Sequence, residues 1–208
     1  MTIMCDIFTK FIKNEYRVWL QWVLLTTIGF LLSLYWIEIG ERGDIRATEG
    51  AIGGIAIGLA QWLVLKGRFS PTGWWIFASM ISWGLLGGSP LGALGWVAPK
   101  VMSIPVRIFY GIIEGAITGI IIGFGQWWIL KNHVKQAWLW ILVSMISWVI
   151  GLTFAWVVGA VLREFTGVFF GEVVGLTLGW LLVAAITGIA LCSLVKSANL
   201  NKPEVRSQ

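Results

Sequence analysis

The chain has 208 residues with 58% apolar and only 12% charged side chains, and a mean hydropathy of +0.84. That is roughly half the charge of a soluble domain, too little polar surface to cover a globule in water, so a soluble fold is excluded. A formal charge of +5 would suit a nucleic-acid partner. However, the Lys and Arg residues sit in short loops between apolar runs, where they set topology instead.

The first apolar run, Val18 to Ile37, follows Lys10, Lys13 and Arg17 and superficially resembles a secretory signal. At about 20 residues it is longer than a typical signal core, and no A-x-A-like site follows, so it reads as a retained membrane helix. Further apolar segments occupy about 47–65, 73–97, 106–130, 136–161 and 168–195. Each of the six could cross ~30 Å of hydrocarbon at 1.5 Å per residue. Lys66–Pro71 joins the second to the third, and Lys131–Lys135 the fourth to the fifth. The expectation is one transmembrane domain over residues 1–196 with a polar, frayed tail over 197–208.

Orientation follows from the basic residues. One side collects Lys10, Lys13, Arg17, Lys66, Arg68, Lys131, Lys135, Lys196, Lys202 and Arg206. The other has Arg42, Arg46, Lys100, Arg107 and Arg163. That bias puts both termini in the cytoplasm of a bacterial inner-membrane protein, with Glu41–Arg46 outside. Cys5 and Cys192 would then both lie on or near the reducing side, and no disulfide is expected.

Residues 49–83 align with 114–148 without gaps, and 19 of the 35 positions are identical, too many for chance apolar similarity. Glu49-Gly50-Ala51-Ile52 repeats as Glu114-Gly115-Ala116-Ile117, and Ser79-Met80-Ile81-Ser82-Trp83 as Ser144-Met145-Ile146-Ser147-Trp148. Two helices per unit make a parallel repeat, with units at 47–97 and 106–161. A degraded third copy is indicated by Lys196, 65 residues after Lys131, and by Ala185–Ile189, which repeats Ala116–Ile120 at an offset of 69. The first segment, 18–37, would then partner the last, 168–195. The fold class is therefore all-α: a polytopic transmembrane bundle of about six helices, with parallel two-helix repeats around a pseudo-threefold axis.

The pattern G-x-x-x-G-x-x-Q-W-x-x-L-K is carried by Gly54–Lys66 and Gly119–Lys131, and W-x-x-x-S-x-x-S-W by Trp75–Trp83 and Trp140–Trp148. It resembles uncharacterised bacterial multi-pass membrane proteins with tandem Trp/Gly-rich helix pairs. The resemblance covers about half the chain and implies no activity.

Three segments carry glycines four apart: Gly50/Gly54/Gly58, Gly115/Gly119/Gly123 and Gly171/Gly175/Gly179. That spacing puts them on one helix face, where another backbone can approach, either inside the bundle or across to a second subunit. Glu49 and Glu114 are equivalent in the repeat, and Glu172 opens the last segment. They are placed near the outer boundary, as groups favoured by helix N-termini or as an acidic ring around an outer vestibule. Arg46 and Arg107 are close enough in sequence to neutralise part of that charge.

Gln61 and Gln126 can bond across helices or to headgroups, and Ser79, Ser82, Ser144 and Ser147 to the preceding turn or across the bundle. Trp19, Trp22, Trp62, Trp74, Trp75, Trp127, Trp128, Trp138 and Trp140 read as an aromatic belt at the cytoplasmic side. Trp83, Trp148, Trp156 and Trp180 lie deeper, as core or lipid contacts or a seat for a flat ligand. Gly87-Gly88-Ser89-Pro90 predicts a kink, or a helix end followed by an outer loop.

No H-E-x-x-H, Cys–His cluster or nucleophile–base pair occurs, so the expectation is a protein without catalytic activity, cofactor or metal. It reads as a scaffold, assembly factor or accessory subunit whose partners are membrane lipids and a second copy or another membrane protein. The alternative is a small channel or carrier for cations or small solutes.

Overall fold

A computed structural model describes residues 2–40, 44–68 and 73–200, with side chains from Glu15 to Lys196 within those ranges, Val195 excepted. Residues 41–43 of the expected outer loop, 69–72 of the second connector and the tail from 201 lie outside the described residues, as do the side chains of Cys5, Lys10 and Lys13.

Among the described residues there are six helices: α1 (Thr2–Ser33), α2 (Ala47–Leu65), α3 (Trp74–Gly87), α4 (Ile104–Leu130), α5 (Leu139–Thr166) and α6 (Phe170–Leu200). A single 3-10 turn spans Leu94–Trp96. Each helix packs on its neighbours in sequence, and α6 returns to α1, so the six form a closed ring. Adjacent helices run antiparallel: Gly50 meets Trp83 while Gly58 meets Ile76, and Gly115 meets Trp148 while Gly123 meets Ile141. Four helices, α2, α4, α5 and α6, are long and apolar enough to cross a membrane. This is an all-helical membrane bundle.

Element boundaries depart from the sequence expectation at three places. The first helix ends at Ser33, not near Ile37, and the last stays helical through 197–200, where a frayed tail was expected. The third apolar segment is only a 14-residue helix, ~21 Å long, which cannot span ~30 Å of hydrocarbon unaided. Pro90 stops it: a helix cannot continue through a residue that lacks an N–H and clashes with the preceding turn. Gly92, at φ +77°, then turns the chain back into the bundle.

Residues 91–98 do not form an outer loop. Ala93, Leu94, Trp96, Val97 and Ala98 are buried, and the segment plugs the space above the short α2/α3 hairpin. The second hairpin needs no plug, because α4 starts eight residues earlier relative to the repeat and α5 continues fourteen residues further (104 against 112, and 166 against 152).

Non-helical backbone at membrane depth survives only where the protein satisfies its polar groups. Here Trp180 Nε1 donates to the Gly95 carbonyl at 3.0 Å and Trp156 Nε1 to the Val97 carbonyl at 2.9 Å. Gly40 N donates to the Trp96 carbonyl at 3.2 Å, and Ala98 N to the Gly40 carbonyl at 2.8 Å. Trp96 donates its own indole N–H to Ser33 Oγ at 2.8 Å.

Candidate functional site

Two hydrophobic clusters of buried residues lie inside the ring. Nearer the basic connectors, Trp22, Trp75 and Trp140 pack edge to face around one centre, with centroids 5.9–6.1 Å apart and interplanar angles of 68–85°. Each indole N–H is spent on the partner helix of its own pair: Trp75 on Gln61 Oε1 at 2.9 Å, Trp140 on Gln126 Oε1 at 2.8 Å, and Trp22 on Thr187 Oγ1 at 3.0 Å. Gln126 Nε2 also donates to Gln61 Oε1 at 3.3 Å, tying the two repeats together.

The arrangement is approximately threefold, with α6 and α1 as the third pair. Thr187, which takes the indole N–H in the α1/α6 pair as Gln61 and Gln126 do in the other two, stands 61 residues after Gln126. These three tryptophans belong to the core and not to the aromatic belt, being at most 1% exposed. Their spacing carried that information. Trp22, Trp75 and Trp140 each precede a large aromatic by eight residues (Phe30, Trp83, Trp148), which places each pair on one inward helix face. Trp74, Trp128 and Trp138, by contrast, are exposed at that end of the bundle.

The deeper cluster joins Phe30, Trp83, Trp148, Trp96 and Trp180, with ring centroids 4.9–6.2 Å apart. Trp96 fits because residue 53 is glycine: a Cβ there would lie 2.4 Å from its ring.

At the opposite end Arg107 closes the structure. Its guanidinium is fully buried and donates to the carbonyls of Pro99, Val101 and Trp156 at 2.7–2.9 Å. The remaining donors make a bidentate pair with Glu172, at 2.7 and 2.9 Å. Arg163, half-exposed, stands 3.7 Å from the same carboxylate. One cation thus ties the segment that follows the plug to α5 and α6, and all five of its N–H donors are used. Sequence reading paired Arg107 with acidic residues only in general terms, because the partner lies 65 residues away on another helix.

The three acidic positions occupy three different settings. Glu49 is partly exposed in the first turn of α2, where its carboxylate accepts the Arg46 N–H at 3.0 Å and the Thr48 hydroxyl at 2.8 Å. Glu172 is neutralised by Arg107. Glu114 is 3% exposed. It lies ~15 Å along α4 from Ile104, because the earlier start of that helix carries the repeat position deep into the bundle. On the same inner face of α4 come Arg107, Thr118 and Gln126, all buried.

The glycines are spent inside the molecule. A Cβ on Gly54 or Gly119 would meet the carbonyl oxygen of Ser79 or Ser144 at 2.6 and 2.5 Å. Gly171, Gly175 and Gly179 face α5 at Arg163, Gly159 and Ala155 in the same way. Ser82 donates across to the Ile121 carbonyl at 3.5 Å, and Ser147 back to Val143 at 2.6 Å. Among the described residues no group of three or more His, Cys, Asp or Glu is assembled that could hold a metal ion.

Outside the ring, at the seam between the repeats, α3 and α4 leave an apolar groove of about 620 Å³. The fold defines an all-helical membrane bundle, with aromatic clusters and an ion pair in its interior and an apolar groove on its flank. Comparison with known protein families, with curated proteins and with solved structures found no match to this chain.

Proposed function

We propose that this chain is a non-enzymatic scaffold, assembly factor or accessory subunit of the bacterial cytoplasmic membrane, acting through helix contacts at its lateral surface. The observation that carries this reading is the occupied axis. Two tryptophan clusters and the Arg107–Glu172 clasp stand in succession inside the ring. Such an interior suits a rigid body that presents its outside. The outside offers an apolar surface with Ile112, Ile146, Ile150 and Phe154 exposed, as a protein immersed in lipid requires. Because the glycine faces are consumed within the bundle, contact with another protein would use these bulkier flanks. The test is native mass measurement in mild detergent with identification of co-purifying proteins. A second copy or a stoichiometric membrane partner is expected, and a bare monomer from every membrane source would refute the proposal.

A channel or carrier is the second reading, and Glu114 is the observation that favours it. A carboxyl buried on an inner helix face ~15 Å from the helix end is costly, and such groups commonly serve transport. Cation flux in liposomes that falls in Glu114→Gln but not in Glu49→Gln would establish it over the scaffold.

A further inference from the structure

The groove between α3 and α4 is shallow-floored because the residues beneath it are small. A Cβ on Gly125 would meet Ser82 Oγ at 2.3 Å and the Ala78 carbonyl at 3.4 Å. Ser82 is the one hydroxyl of the lining, and it is already committed to the Ile121 carbonyl. The walls, including Ile81 and Phe124, are exposed and apolar, so the trough offers an occupant dispersion contacts without hydrogen bonds.

Its end toward the basic connectors is different. Trp74 and Trp128 stand exposed on either side, as indoles do at the headgroup level. Lys131 holds its ammonium 3.2 Å from the centroid of the Trp128 ring and 5.3 Å from that of Trp127. The cation–π contact holds this long, exposed side chain over the Trp128 ring, which itself lines the groove. An apolar trough ending in a fixed cation at the interface is complementary to a molecule with a long hydrocarbon chain and an anion at one end.

We propose that this groove binds an anionic phospholipid, with an acyl chain along α3 and α4 and the phosphate on Lys131. The site stands whether the protein is a scaffold or a carrier. A zwitterionic lipid fits the trough equally well but brings a second positive charge to the ammonium, so selectivity resides in the headgroup.

The test is native mass spectrometry of the full chain titrated with phosphatidylglycerol or phosphatidylcholine. Phosphatidylglycerol is expected to bind more tightly, and Lys131→Ala to weaken it about fivefold, the equivalent of one interfacial lysine. Lys66→Ala removes the same charge at the matching repeat position, beside Trp62, and should leave the affinity unchanged. Ala78→Phe fills the floor and should lower binding of both lipids. Lys131 is on the surface, so that variant decides the matter even where Ala78→Phe fails to fold. Equal affinity for the two lipids, or equal effects of Lys131→Ala and Lys66→Ala, would overturn the proposal. So would a co-purifying protein that is lost from a folded Ala78→Phe variant, since the groove would then seat that protein.

Discussion

Glu172 and Glu49 show how far one residue type can differ in energetic weight. Arg107 is fully buried, so removing its counter-charge leaves a cation that cannot be solvated. Glu172→Ala should destabilise the protein by about 3–5 kcal/mol. Glu49→Gln removes only a partly exposed helix-terminus interaction and should cost about 0.3–1 kcal/mol. Thermal unfolding in detergent separates the two, and equal losses would mean that the clasp carries no special weight. The plug depends similarly on single acceptors. Ser33→Ala leaves the Trp96 indole N–H without the hydroxyl it now donates to, at a cost of about 1–3 kcal/mol. Ser193→Ala, at an exposed position on α6, should be close to neutral in the same assay.

Among elements, the tight contacts are those where a helix has given up side chains. At Gly54 and Gly119 even a methyl group would stand under 3.0 Å from the facing backbone. Alanine should therefore already lower thermal stability, and leucine more so, because the opposing atoms are main chain and cannot rotate away. Gly73, with nothing within 4 Å of the added carbon, should accept alanine without loss. The helical bundle was legible from hydropathy, and the repeat from residues 65 apart. The short α3 and the plug were not legible in full. Pro90 signals a break, but the apolar run Leu91–Val97 reads equally as continued helix, as loop or as buried filler. Only the donors that Trp156 and Trp180 bring from other helices make the last of these stable. The depth of Glu114 was hidden for a related reason: its setting is fixed by how far α4 extends beyond α2, and no motif around it records that.

For the whole molecule, the orientation expected from the ten-to-five basic bias has a direct check. Asp44→Cys should react with an impermeant thiol reagent in intact cells, and Lys66→Cys only after lysis. The reverse pattern would invert the assignment. Closure of the ring has its own consequence for folding. Contacts between α1 and α6, such as Trp19 Nε1 to the Ala185 carbonyl at 3.0 Å, join residues 166 apart, so the third pair can assemble only after the whole chain is in the membrane. The two local hairpins, α2/α3 and α4/α5, need no such wait. Proteolysis during synthesis should find them protected before α1 is.

The unequal hairpins also give the protein an uneven height. One flank carries helices of 19 and 14 residues, ~28 and ~21 Å, while the other carries helices of 27 and 28 residues, ~40 and ~42 Å. Longer helices can tilt into a bilayer of uniform thickness but α3 cannot lengthen, so lipid is expected to thin against the first flank wherever the plug does not make up the height, at fractions of a kcal/mol per Å. The deformation is shared when two short flanks meet, which gives these bundles a reason to cluster that requires no specific contact. Lengthening the acyl chains of the host membrane should raise that tendency, and shortening them should disperse the clusters.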